Sequence, residues 1–292
     1  MMKIYETCFD NKVVDILNGE KGKKAILLFN HGLGDFVLFL PLFQELCNRS
    51  PDWDLYIGCS PNRNFKFLHP KCIIVDSPYG KYSDTFDIIM NIVYPEPPRD
   101  EKELQFFNSK FSVKNIETIS KPYLCNELEI GLKNFEWKPY EFPWEEQNYN
   151  SKTIGVHFFG HTSVENKDAD NLVAKYIWKE IKKCDFNPFE IQMVPLNTLR
   201  DVEVPDFITK EESLRFQFPN LRLMVSKLLE CKLFIGVDSG PIYLAGSLIG
   251  FDKVLGLQRK REFKKVLPEK ITILDIDRNI DSEIRDWIEG NI

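Results

Sequence analysis

The chain has 292 residues, 43% hydrophobic and 28% charged, with a net charge of −6. Length and composition fit a globular chain of one large or two ordinary domains, with 23 phenylalanines to fill the core. They exclude a nucleic-acid binder announced by basic composition, and no apolar run reaches the ~18 residues of a membrane-spanning helix.

The N-terminal "MMKIYETCFDNKVVD" carries no apolar core of a signal peptide. Seven cysteines (Cys8, Cys47, Cys59, Cys72, Cys125, Cys184 and Cys231) are scattered and form no C-x-x-C pair. The expectation is reduced thiols in a cytoplasmic protein.

Short apolar runs then alternate with helical patterns, the signature of parallel sheet with helices on both faces. The first half predicts strands over 25–30, 55–59, 73–75 and 88–93, with a helix over 35–48. In "ILLFNHGLGDFVLFLPL" (26–42), a strand leads through Gly32 and Gly34 into that helix, as in a phosphate-cradling loop. Asp35 is out of place there, because a phosphate loop offers backbone N–H groups and no competing acid. Such an acid either caps the helix or takes a proton.

The segment "WKPYEFPWEEQNYNSK" (137–152) loses periodicity and gains prolines, so it reads as a linker between two Rossmann-like halves, 1–148 and 149–292. The second half predicts strands over 153–158, 190–194, 233–237, 253–257 and 271–274, and helices over 172–183, 221–231 and 241–250. The last stretch, "DSEIRDWIEGNI", spaces Ile284, Trp287 and Ile288 as one helical face that must dock on something, the first half being one choice. The basic run "QRKREFKK" (258–265) reads as solvated surface.

Two stretches carry chemistry. In "LFIGVDSGPIYLAGSLIG" (233–250), a buried strand delivers Asp238, Ser239 and Gly240 to a helix that opens on Pro241. Proline loses nothing in a first helical turn, and free N–H groups beside a hydroxyl suit a diphosphate. The competing reading is an ordinary N-cap made by Asp238 or Ser239. In "GVHFFGHTSVENKDAD" (155–170), another strand end leads to Thr162, Ser163 and Lys167, which together can hold a phosphate and offset its charge. The pairs Asp168–Asp170 and Asp275–Asp277 match short metal-binding D-x-D patterns of low specificity. A hydrolase built on "NHGLGD" and "GVDSG" is excluded, since its histidine base must follow the nucleophile and every histidine (31, 69, 157, 161) precedes Asp238.

Taken together, "GLGDFVLFLPLFQEL", "HTSVENK" with the later "KYIWKEI", and "FIGVDSGPIYLAGSLIG" resemble the heptosyltransferase-like glycosyltransferases of family 9, across residues 32 to about 250. The resemblance implies the α/β GT-B fold: two Rossmann-like domains facing each other across a cleft, the C-terminal helix docking back on the first. It also implies inverting, metal-independent transfer of a sugar from a nucleotide-diphosphate donor, ADP-heptose or another, and no cofactor. The acceptor hydroxyl belongs to a glycan, a lipid-linked saccharide or a protein. Asp35 is then the general base, with Gly32 and Gly34 on the acceptor side. Thr162, Ser163, Lys167, Asp238, Ser239, Gly240 and Tyr243 are the donor and diphosphate contacts.

The family's signature Thr and His are replaced by Ser239 and Tyr243. Residues 1–150 hold 17 Lys+Arg against 22 Asp+Glu, a balance of −5 that an anionic acceptor does not favour. Peripheral association with the inner face of a membrane is a further expectation. A non-catalytic nucleotide- or glycan-binding protein, or a GT-B-type nucleotide-sugar epimerase, are the alternatives.

Overall fold

Runs of aliphatic residues too short for helices form parallel strands, and the longer amphipathic segments between them form the helices that cover the sheets. In the computed structural model these elements are described for residues 3–7, 13–29, 32–61, 65–75, 85–92, 135, 137–144, 152–160, 169–193, 205–216, 221–258, 271–277, 280 and 282–292. They fall into two compact units: Met1–Gly32 with Leu38–Pro139, and Leu33–Val37 with Tyr140–Ile292.

The first unit contains β1 (Lys3–Thr7), α1 (Val13–Gly19), β2 (Lys24–Leu28), most of α2 (Leu33–Arg49), β3 (Asp54–Cys59), β4 (Cys72–Ile74) and β5 (Ile88–Ile92). All its strand pairs are parallel, in the order β1-β5-β2-β3-β4. Helix α2 is buried on most of its circumference, through Phe36, Val37, Leu38, Phe39, Leu40, Leu42, Phe43 and Leu46. Its Phe39 stacks on Phe29 with centroids 4.9 Å apart. The Trp137 indole donates to the Leu38 carbonyl at 3.0 Å and ties the end of this unit to the helix.

His69 lies beneath the same aromatic row. It is 5% exposed, meets Phe43 edge to face at 5.3 Å, and accepts the Lys71 amide on Nδ1 at 3.2 Å. Burial, helped by the Lys71 charge, pushes its pKa down to about 4. The unfolded chain therefore binds this proton first, near pH ~6.5. Stability is complete above that pH and falls as the solution is acidified toward pH ~4, by on the order of 2 kcal/mol after discounting for solvent screening. His69→Asn keeps an acceptor for Lys71 and removes the titration. The expected result is a shallower fall of Tm between pH 7 and pH 4.5 than in wild type, and parallel Tm curves would refute it.

The second unit contains β6 (Thr153–His157), α3 (Asn171–Lys183), β7 (Asn187–Met193), β8 (Ser213–Phe216), α4 (Leu221–Leu229), β9 (Leu233–Val237), α5 (Gly240–Ile249), β10 (Val254–Gln258), β11 (Thr272–Asp275) and α6 (Glu283–Gly290). Its six strands are all parallel, in the order β11-β10-β9-β6-β7-β8. The strand predicted from 190 begins earlier, at Asn187, and includes Pro188. A proline is a poor guide to a sheet interior because it lacks the ladder N–H. Edge strands β1 and β8 and the short helix α1 were not predicted, since their few residues carry little periodic signal.

Helix α3 buries Ala174, Ile177, Trp178 and Ile181 at helical spacing against Ile154, Val156, Leu233, Ile235 and Val237. The terminal helix α6 adds Ile284, Trp287 and Ile288 to that core. Arg285 donates to Glu180 of α3 at 2.6 Å, and Lys183 to the other Glu180 oxygen at 2.5 Å. Burial disfavours the Glu180 charge, but these two cations outweigh it and hold the carboxyl below its ordinary value. The apolar face of α6 thus packs within its own unit. This corrects the expectation that it docks on the first half: α3 leaves an apolar strip and a buried carboxylate that α6 covers and neutralises.

The described cysteines, 47, 59, 72, 184 and 231, are all free thiols. No helix among the described residues is long and apolar enough to cross a membrane.

Candidate active site

Every residue of β9 is buried, so the strand runs through the sheet and delivers its next residues at the carboxyl edge. In an open parallel sheet that edge is where ligands bind. Asp238 and Ser239 leave the strand and α5 starts at Gly240, with Pro241 in its first turn. Ser239 is the N-cap residue, yet its side chain makes no capping hydrogen bond. Its Oγ is buried and has no hydrogen-bond partner among the described residues. The ordinary N-cap reading of Ser239 therefore does not hold. A buried hydroxyl left unbonded costs about 1–3 kcal/mol, and such groups are uncommon in folded proteins without a reason.

Asp238, the residue before Ser239, is bonded to the body of the helix. It accepts the Tyr243 hydroxyl on Oδ1 at 2.5 Å, and Tyr243 itself is only 4% exposed.

The first turn of α2 belongs to this same unit and packs on the start of α5. A Cβ on Gly34 would lie 2.8 Å from Tyr243 Cδ2 and 3.4 Å from Gly240 Cα. A Cβ on Gly240 would lie 2.8 Å from Leu33 Cβ and 3.2 Å from the Gly34 nitrogen. Two helix N-termini thus meet through two glycines, and the positive ends of their dipoles make this a favourable locus for negative charge. Gly34 is filled by the Tyr243 ring rather than open to an incoming group. Gly32 is the N-cap of α2, with no side-chain cap bond, and Asp35 stands half-buried in the first turn. An acid there is favourably placed in the helix dipole.

The loop after β6 springs from the strand beside β9, with His157 paired in register to Gly236. His157 is 1% exposed, and its Nδ1 lies 2.7 Å from the Ile191 carbonyl, which assigns the proton to that nitrogen. The Ala169 amide donates to the Phe158 carbonyl at 3.0 Å, closing the loop's stem at the carboxyl edge. Thr162, Ser163 and Lys167 lie outside the described residues.

Asp170 accepts from the amides of Leu172 and Val173 and so caps α3. Asp275 accepts from the Asp277 amide at 3.1 Å in the turn after β11. Among the described residues no group of three or more His, Cys, Asp or Glu side chains gathers at one point. The Tyr243–Asp238 bond and the seating of Leu33 on Gly240 are what sequence reasoning missed; nothing in residue spacing signals either.

No protein-family model matches the chain, and no curated protein matches it by sequence. Solved structures do match its fold. The Escherichia coli ADP-heptose lipopolysaccharide heptosyltransferase II superposes with a TM-score of 0.63 at 11% identity, over 92% of this chain and 98% of that one. A family 9 glycosyl transferase from Veillonella parvula gives 0.60 at 15% identity, over 92% and 91%. The iron-containing dodecameric glycosyltransferase TibC from enterotoxigenic E. coli gives 0.59 at 12% identity; the match covers 88% of this chain but only 59% of TibC. The chain has the fold of heptosyltransferases and of a family 9 enzyme, the GT-B type with two Rossmann-like parallel sheets. The fold that the resemblance implies is matched by these structures.

Proposed function

We propose that the protein is a glycosyltransferase that uses a nucleotide-diphosphate sugar, with the diphosphate seated on the N-terminus of α5. The observation that carries this reading is the Ser239 hydroxyl, buried and without a hydrogen-bond partner among the described residues, at a helix start whose dipole favours an anion. The fold shared with heptosyltransferases supports it, and the E. coli neighbour named for ADP-heptose makes that donor a first candidate.

In the proposed reaction Asp35 accepts the proton of an acceptor hydroxyl, whose oxygen attacks the anomeric carbon from the face opposite the diphosphate. The anomeric C–O bond breaks with inversion, and its electron pair leaves with the nucleoside diphosphate. Ser239, the α5 N–H groups, and Thr162, Ser163 and Lys167 take up the charge of the leaving group, so the reaction needs no metal in this scheme. The acceptor is a glycan, a lipid-linked saccharide or a protein. The setting is the cytoplasm, at the inner face of the membrane for a lipid-linked acceptor.

A thermal-shift screen of the wild-type protein against ADP, GDP, UDP, CDP, TDP and their sugars tests the reading. A ligand at a hundred times its Kd adds about 2.7 kcal/mol, a rise of roughly 5–10 °C in a protein of this size. One base should stand out. If none of the set raises Tm, the reading is wrong.

A further inference from the structure

We infer that Tyr243 is a positioning residue: its buried hydroxyl holds the Asp238 carboxylate and so sets the Asp238–Gly240 turn on which the diphosphate sits. The inference rests on the donor reading above, and it gives Tyr243 a task other than touching the ligand. At 4% exposure, with its hydroxyl committed to Asp238 Oδ1 at 2.5 Å, the side chain offers little surface to a substrate. Its ring fills the space beside Gly34, where a Cβ would come within 2.8 Å, so the ring is held from both ends.

The physical need is plain. A carboxylate immediately before an anion cradle repels the diphosphate, and a buried O–H that donates a short bond to it draws off part of that charge. The same ring abuts the residue before Asp35, so one side chain sets the proposed base and the donor turn in a common register. Such sub-ångström placement is worth large factors in rate.

Tyr243→Phe keeps the ring and deletes only the hydroxyl. Calorimetry with the best binder among ADP, GDP, UDP, CDP and TDP should show Kd raised about tenfold. The same base's nucleoside, lacking phosphates, should bind within about twofold of its wild-type affinity, a split that general loosening of the fold does not produce. In an Asp238→Asn background the Tyr243→Phe effect should shrink below about twofold, because the Tyr243 hydroxyl acts on the turn through Asp238. Tyr243→His, which keeps a ring and a donor, should stay within about threefold of wild type, and it decides the matter if the Phe variant does not fold. Equal diphosphate affinity in Tyr243→Phe, a tenfold loss that persists beside Asp238→Asn, or a His variant as weak as Phe would each overturn the inference while the donor reading stands. If wild type binds none of the five diphosphates, the donor reading falls and this inference with it.

Discussion

Asp35→Asn should lower the rate of sugar transfer about 10³-fold while leaving the affinity for the nucleotide donor within about twofold. Loss of a positioned general base typically costs 10²–10⁴-fold. The amide keeps the size of the side chain, so what disappears is the ability to take a proton. Asp35 is half-buried in the first turn of α2, directly after the Gly34 that packs on Tyr243, and so beside the α5 start. Its favourable placement in the helix dipole is worth only about 0.3–1 kcal/mol, so Tm should fall by no more than a few degrees. A purified variant that folds, binds donor and transfers sugar at close to the wild-type rate would remove Asp35 from the mechanism. A wild-type protein that binds donor but transfers nothing to any acceptor would favour a non-catalytic binding protein. Isomerisation of the donor alone would reveal an epimerase.

The second large effect is expected at Gly240. This glycine does not occupy the left-handed region of backbone space; among the described glycines only Gly250 does, at φ 100°. Gly240 is there for room. An alanine methyl would lie 2.8 Å from Leu33 Cβ and 3.2 Å from the Gly34 nitrogen, neither of which is the yielding end of a long side chain. The first turn of α2 must then shift by some tenths of an ångström, taking Asp35 with it. Overpacking of this kind costs about 1–3 kcal/mol, and the displaced base should cost roughly 10²-fold in rate. The control is Gly19→Ala at the end of α1, where a Cβ meets nothing within 4 Å. Gly240→Ala with unchanged transfer kinetics would show that the two helix starts need not touch for function.

The parts legible in the sequence are those governed by neighbours along the chain. Alternation of apolar runs with amphipathic segments predicts two parallel sheets, and each predicted strand recurs, several with ends shifted by a few residues. The strand–Asp–Ser–Gly–Pro–helix passage of 237–242 likewise declares a helix start at the edge of a sheet. Asp35 was conspicuous because an acid disagreed with the glycine-rich loop around it. The terminal helix marks the limit of such reasoning. Its apolar face was plain from Ile284, Trp287 and Ile288, but its partner depended on Glu180, a residue 105 positions from Arg285 that only folding makes a neighbour.

By itself, then, the sequence determined the fold class, the helix start at Ser239 and the suspect acid at Asp35, because periodicity, capping and turn chemistry act over a few residues. Tertiary structure alone decided that the Ser239 hydroxyl is buried without a bond among the described residues, that the Tyr243 hydroxyl donates to Asp238, and that Gly34 and Gly240 exist for each other. The two glycines stand some two hundred residues apart, and steric exclusion between them leaves no trace in local pattern; it operates only where the folded chain brings two backbones within van der Waals contact.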